Sequence, residues 1–218
     1  MKRDQAGATT DPVVADILSE ALAEFAEHGL AGARVDAIAA RTATSKRMIY
    51  YHFGSKQGLY KAVLDHAYRS IRAEPAAPRV QTRSPAPSAL QALEAYTAGA
   101  FDRHAAHPQF IRLVMYENLL GATTVAQLPE IARLNREGVA QLAALLERGR
   151  ADGSMRPDLD ARSVYALIIG QCFHYVSNRH SFEALFGPPA DPEAQRRERR
   201  AAICDSVLRY VRTQETER

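Results

Sequence analysis

The sequence predicts an all-α fold, and three observations carry that expectation. Apolar residues recur at helical spacing in nearly every stretch long enough to show a period. Helix starts are written out: Asp11-Pro12 and Asp191-Pro192 each place a capping carboxylate before a proline, and the first helical position does not need the N–H that proline lacks. Gly29, Gly54, Pro108, Gly153 and Pro157 fall between the periodic stretches, where helices end.

The chain of 218 residues is long enough for one large or two modest domains with a real core. Its 46% hydrophobic and 24% charged residues are ordinary for a soluble globular protein. A formal charge of +3 is too mild to imply a nucleic-acid partner, so any such claim rests on local clustering. The first residues lack the apolar run of a signal peptide, and no apolar segment reaches the roughly 18 residues that suggest a membrane span. Cys172 and Cys204 sit in apolar helical patterns, which favours buried thiols in a reducing compartment, the cytoplasm.

Residues 1–10 read as a flexible basic tail carrying Lys2 and Arg3. The helix opened by Asp11 has an apolar stripe of Val14, Ile17, Leu18, Ala21, Leu22 and Phe25. Its other face carries Asp16, Glu20, Glu24 and Glu27 and is expected to point away from any phosphate. A short helix over 35–42 turns inward with Val35, Ile38 and Ala39, and Ser45 then caps a third. On a helical wheel Ile49 and Phe53 of that third helix face the core. Lys46, Arg47, Tyr50 and Tyr51 face out, with His52 on a flank. Two short helices with a tight turn, the second showing a basic aromatic face, form a helix-turn-helix. The plain alternative is a solvated charged face. Ser55 caps a fourth helix, and Lys56 at its first turn is a cation where the helix dipole disfavours one, which a phosphate there would explain.

The stretch 17–64, ILSEALAEFAEHGLAGARVDAIAARTATSKRMIYYHFGSKQGLYKAVL, resembles the DNA-binding domain of the tetracycline-repressor (TetR) family. The resemblance implies an all-helical homodimer with a variable ligand-binding domain. It also implies a transcriptional regulator, usually a repressor that a small molecule releases from a palindromic operator. Family DNA contacts match at Ser45, Lys46, Arg47, Tyr50, Tyr51, His52 and Lys56. Arg34 stands where the family often has threonine, Ala43 where it has glycine, and Arg47 where many members have glycine. Arg34 substitutes a charged phosphate contact for a hydroxyl one. An arginine at position 47 has the fork to read guanine, whereas Tyr50, Tyr51 and Lys56 suit phosphates.

The DNA-binding unit is thus expected over 11–72. A proline-rich connection over 73–88 follows, then a ligand-binding and dimerisation unit over 89–218. In that unit helices are expected over 89–106, 109–120, 129–150, from Asp160 onward, and over 193–213. The run VYALIIGQCFHYV is apolar nearly all round, so it should be buried on every side, partly by a second copy of the chain. Polar residues set in these helices are the effector-binding candidates: Tyr96, His104, Tyr116, Asn118, Gln171, His174, Tyr175 and Asn178.

Other classes of function compete with this one. A dimeric helical sensor acting through a protein partner would need no basic face on the third helix. An enzyme would need a site, and His104, His107 and Glu117 have no metal-ligand signature around them. No catalytic residue, metal or cofactor is called for.

Overall fold

A computed structural model describes residues 11–73 and 87–213. The basic tail and most of the proline-rich connection lie outside the described residues. Among the described residues ten α-helices follow in order: α1 (Pro12–Gly32), α2 (Val35–Arg41), α3 (Lys46–Phe53), α4 (Lys56–Ala73), α5 (Ala89–Ala106), α6 (Pro108–Leu119), α7 (Pro129–Ala151), α8 (Ala161–Ser177), α9 (Arg179–Phe186) and α10 (Pro192–Val211). A 3-10 turn, Val125–Gln127, precedes α7.

The caps explain the boundaries. Asp11, Ser45, Asp160 and Asp191 each accept a hydrogen bond from a first-turn amide of their helix. Ser88 and Gln91 add a reciprocal capping box at the start of α5. Gly29 leaves the helical region at φ 64°, ψ 178°, so α1 breaks there before one further turn. That glycine also permits a close approach: a Cβ on it would lie 3.0 Å from the Tyr116 ring.

Two apolar clusters hold the helices. The first unites Ile17, Ala21 and Phe25 of α1, Ile38 of α2, Ile49 of α3 and Leu59, Tyr60, Val63 and Leu64 of α4. Phe110, Ile111 and Leu113 of α6 belong to the same cluster, so packing crosses the covalent connection between the units. The Phe25 and Tyr60 rings meet edge to face at 4.9 Å, a favoured aromatic arrangement. The second cluster joins Leu93 and Phe101 of α5, Leu142 and Leu146 of α7, Val164, Ile168 and Cys172 of α8, and Ile203 and Val207 of α10.

Three features differ from expectation. The acids of α1 do not form one outward face. Glu24 is only 4% exposed and binds Arg41, and Glu20 binds the same guanidinium, because α2 packs on that side. Within one chain α8 is buried on one side only: Val164, Ile168 and Cys172 are inside, while Ala166, Gly170 and His174 are exposed at every fourth position. Helix α9 was not anticipated, and it leaves Phe182, Leu185 and Phe186 exposed. Both cysteines are buried free thiols, and burial pushes the Cys172 thiol up to about 12.

Candidate functional site

Helix α3 has eight residues and one fully buried side chain, Ile49, with Phe53 partly buried beside it. So short a helix does not stand alone. It is held by Ile49 in the core it shares with α2 and α4, by the Ser45 hydroxyl accepting from Met48 N at 3.3 Å, and by Gly54, whose φ of 75° ends it. Everything else on α3 is exposed: Lys46, Arg47, Met48, Tyr50, Tyr51 and His52. Tyr51 is 78% exposed and stacks edge-on with His52 at 5.5 Å. A large aromatic held in water on a rigid helix has no packing role.

The basic groups around α3 are in different states of engagement. The Arg47 guanidinium has no hydrogen bond or ion pair with any described residue. Lys46 Nζ pairs with Asp36 Oδ2 at 2.9 Å, and that pair is well exposed. Lys56 Nζ donates to the Ala31 carbonyl at 3.0 Å, pinning the start of α4 to the end of α1. Arg34 holds its place through its backbone, whose N–H donates to Glu24 Oε1 at 2.8 Å, and its side chain is exposed. Burial pushes the Glu24 carboxyl up, but hydrogen bonds from Arg41 and from the Arg34 N–H outweigh it and hold the group below its usual value. Arg34, Ser45, Lys46, Arg47, Tyr50, Tyr51, His52 and Lys56 therefore lie on or beside one exposed helix.

The eight polar residues of the second unit do not converge. Gln171, His174, Tyr175 and Asn178 line a groove of about 240 Å³ between α8, α9 and α10. Tyr96 is core, its hydroxyl 3.4 Å from the Gly138 carbonyl. Tyr116 reaches the other unit and donates to the Glu27 carbonyl at 3.1 Å. Asn118 is exposed and folds back on Val114 O at 2.8 Å. His104 alone among them lines a cavity of about 170 Å³ walled by residues of α4 to α8. Burial lowers its pKa, so the ring is neutral near pH 7, and Nδ1–H donates to the Ala100 carbonyl at 2.7 Å.

That cavity has polar residues the sequence did not single out: Arg72, Arg103, Asn135 and Tyr165. Arg72 Nη2 donates to Asn135 Oδ1 at 2.6 Å and to the Tyr165 hydroxyl, and the guanidinium lies 5.7 Å from the Tyr165 ring centre. Gly138 makes room for it, since a Cβ there would come within 3.0 Å of Arg72 Nη1. Phe110, Ile169 and Phe173 supply apolar wall. Among the described residues no group of acids, histidines and cysteines is arranged to hold a metal, and no helix is long and apolar enough to cross a membrane.

A helix-turn-helix displaying a basic aromatic helix, joined by one long helix to a bundle with a cavity in its wall, defines a DNA-binding regulator with a separate helical domain. Residues 17–63 match bacterial regulatory proteins of the tetR family, and residues 90–207 match the tetracyclin repressor-like C-terminal domain. The chain is 30% identical to the HTH-type transcriptional repressor NicS of Pseudomonas putida, over 97% of this chain and 96% of that protein. It is 31% identical to the HTH-type transcriptional repressor SCO4008 of Streptomyces coelicolor, over 71% and 73% of the two chains. Among solved structures, the putative transcriptional regulator SCO4942 of Streptomyces coelicolor superposes with a TM-score of 0.68 at 28% identity, covering 91% of this chain and 98% of that one. The chain belongs to the TetR family of helix-turn-helix transcriptional regulators.

Proposed function

We propose that this protein is a homodimeric cytoplasmic repressor. Each subunit lays α3 in a major groove of a palindromic operator, with half-site centres about one helical turn, ~34–36 Å, or a multiple apart. Arg47 reads base edges. Lys46 and His52 lie along the groove walls, and Tyr50, Tyr51, Ser45, Lys56 and Arg34 contact phosphates and set the register. Residues 11–72 form the reading unit, and residues 89–218 form the effector-binding and dimerising unit. A small molecule in the cavity between α4 and α8 favours the geometry that does not fit DNA.

The observation that carries this reading is the span of α4. Lys56 at one end borders the reading helix, and Arg72 at the other enters the cavity wall, on one helix of 18 residues. At the ordinary rise that helix is about 27 Å long. An effector works by binding one geometry of this lever better than the other, and only by that difference. The second copy packs on the exposed face of α8 together with α10, where Ala166 and Gly170 permit close approach.

Fluorescence anisotropy of the full chain on labelled DNA from its own upstream region tests the reading. The expected result is tight binding whose log affinity falls linearly with log salt concentration. Binding that is absent, or insensitive to salt, would overturn it.

A further inference from the structure

Arg72 is a half-buried cation whose partners are both uncharged. Its hydrogen-bond acceptors are the Asn135 side-chain carbonyl and the Tyr165 hydroxyl, and among the described residues it forms no ion pair. A guanidinium withdrawn from water is stabilised best by a carboxylate, which accepts two parallel hydrogen bonds from its fork. The described residues that line the cavity include no acid to supply one, and Arg103 adds a second guanidinium to the same wall.

We propose that the cavity takes a small organic carboxylate, its anionic head on Arg72 and its apolar body against Phe110, Ile169 and Phe173. This rests on the reading of the cavity as the effector site and names the chemical class of the effector. Size sets the body of the ligand: a cavity of about 150 Å³ holds one benzene ring, and this one measures about 170 Å³. A single aromatic ring or a short aliphatic chain fits. The head is a carboxylate because the Arg72 fork matches two oxygens, and the Asn135 and Tyr165 groups that now occupy that fork are neutral. Tyr68 adds a hydroxyl to this wall, and burial pushes it up to about 12, so it stays protonated and has a proton to offer a ligand oxygen. An ionised ligand head offers Arg72 charge-assisted hydrogen bonds about twice as strong as those to neutral acceptors. The guanidinium therefore exchanges Asn135 and Tyr165 for the ligand. Because Arg72 belongs to α4, that exchange acts directly on the helix that carries Lys56.

Isothermal titration calorimetry at pH 7 of the full chain with matched pairs tests the proposal. The probes are benzoate, cyclohexanecarboxylate and hexanoate, each beside its primary carboxamide, which has the same shape and no charge. At least one carboxylate should bind, and its amide at least about tenfold more weakly, the discrimination expected for a lost charged partner. Arg72→Met, checked for folding by circular dichroism, should lose that affinity to a similar extent. The pairs are read on the unaltered chain, so the test stands whether or not the variant folds. Amides that bind as well as their acids, an Arg72→Met protein with undiminished affinity, or no carboxylate binding tighter than about 1 mM would overturn the proposal. Operator anisotropy run beside the titrations separates the two levels. Neutral amides that release DNA would overturn the carboxylate assignment and leave the regulator standing, whereas a chain that never binds DNA would overturn the regulator reading itself.

Discussion

The Tyr116 ring packs onto the backbone of Gly29, and its hydroxyl donates to the neighbouring Glu27 carbonyl at 3.1 Å. One aromatic side chain of the second unit thus closes on the one break in α1, behind the reading head. The contact needs both a positive φ and an absent Cβ at position 29, and glycine supplies both. Gly29→Ala should therefore destabilise the protein by about 1–3 kcal/mol through backbone strain and the crowded ring. Tyr116→Phe removes only the hydrogen bond and should cost about 0.5–1.5 kcal/mol. Urea melts of the two variants check this, and equal losses would contradict the assignment of strain to Gly29.

Base reading and phosphate gripping separate in mutants. Arg47→Ala should flatten the preference at one operator position in a randomised-site selection, at a cost of about 1–3 kcal/mol on the best site. Lys56→Ala should weaken every sequence alike and reduce the salt slope by about one. Loss of specificity on changing Lys56, with none on changing Arg47, would invert the assignment.

The reading head should also come apart in acid. The Glu24 carboxyl has a lower pKa folded than the ordinary 4.5 because Arg41 and the Arg34 N–H bind its ionised form. A depressed carboxylate contributes stability that is full above the unfolded pKa and is lost as pH falls through the folded one. Thermal melts between about pH 6 and pH 3 should lose stability most steeply below the ordinary carboxylate value. Glu24→Gln should lower stability at neutral pH and flatten that acid limb, and an unchanged limb would show that other carboxylates dominate it.

The reading helix was legible in the sequence because its geometry is local. Ile49 and Phe53 recur at helical spacing, Ser45 caps, and the basic face is whatever remains. The cavity was not legible, because Arg72, Asn135 and Tyr165 come from three helices and no spacing in the chain relates them. Arg72 reads in sequence as an ordinary cation in the last turn of α4. Tyr116 and Asn118 sit among apolar residues of α6 as a pocket residue would, yet their partners are α1 and their own helix. Glu24 looked like one of four surface acids, and only the docking of α2 makes it a buried counter-ion of Arg41. For α8, hydropathy reported an apolar helix without saying whether its cover comes from the same chain or from another copy.

That last ambiguity has a direct test at Gly170. It lies mid-helix on α8 between the exposed Ala166 and His174, and a Cβ built on it meets no atom within 4 Å in a single chain. Glycine inside a helix costs roughly 0.5–1 kcal/mol relative to alanine, so a side chain here should not harm the isolated subunit. If a second copy covers this face, a long charged side chain would separate the two helices and bury an unpaired charge. Gly170→Arg should then turn a dimer into a folded monomer in sedimentation, with helicity by circular dichroism preserved. Operator affinity should fall steeply, because one reading head alone contacts half the site. A Gly170→Arg protein that stays dimeric and binds its operator normally would place the subunit interface away from this face of α8.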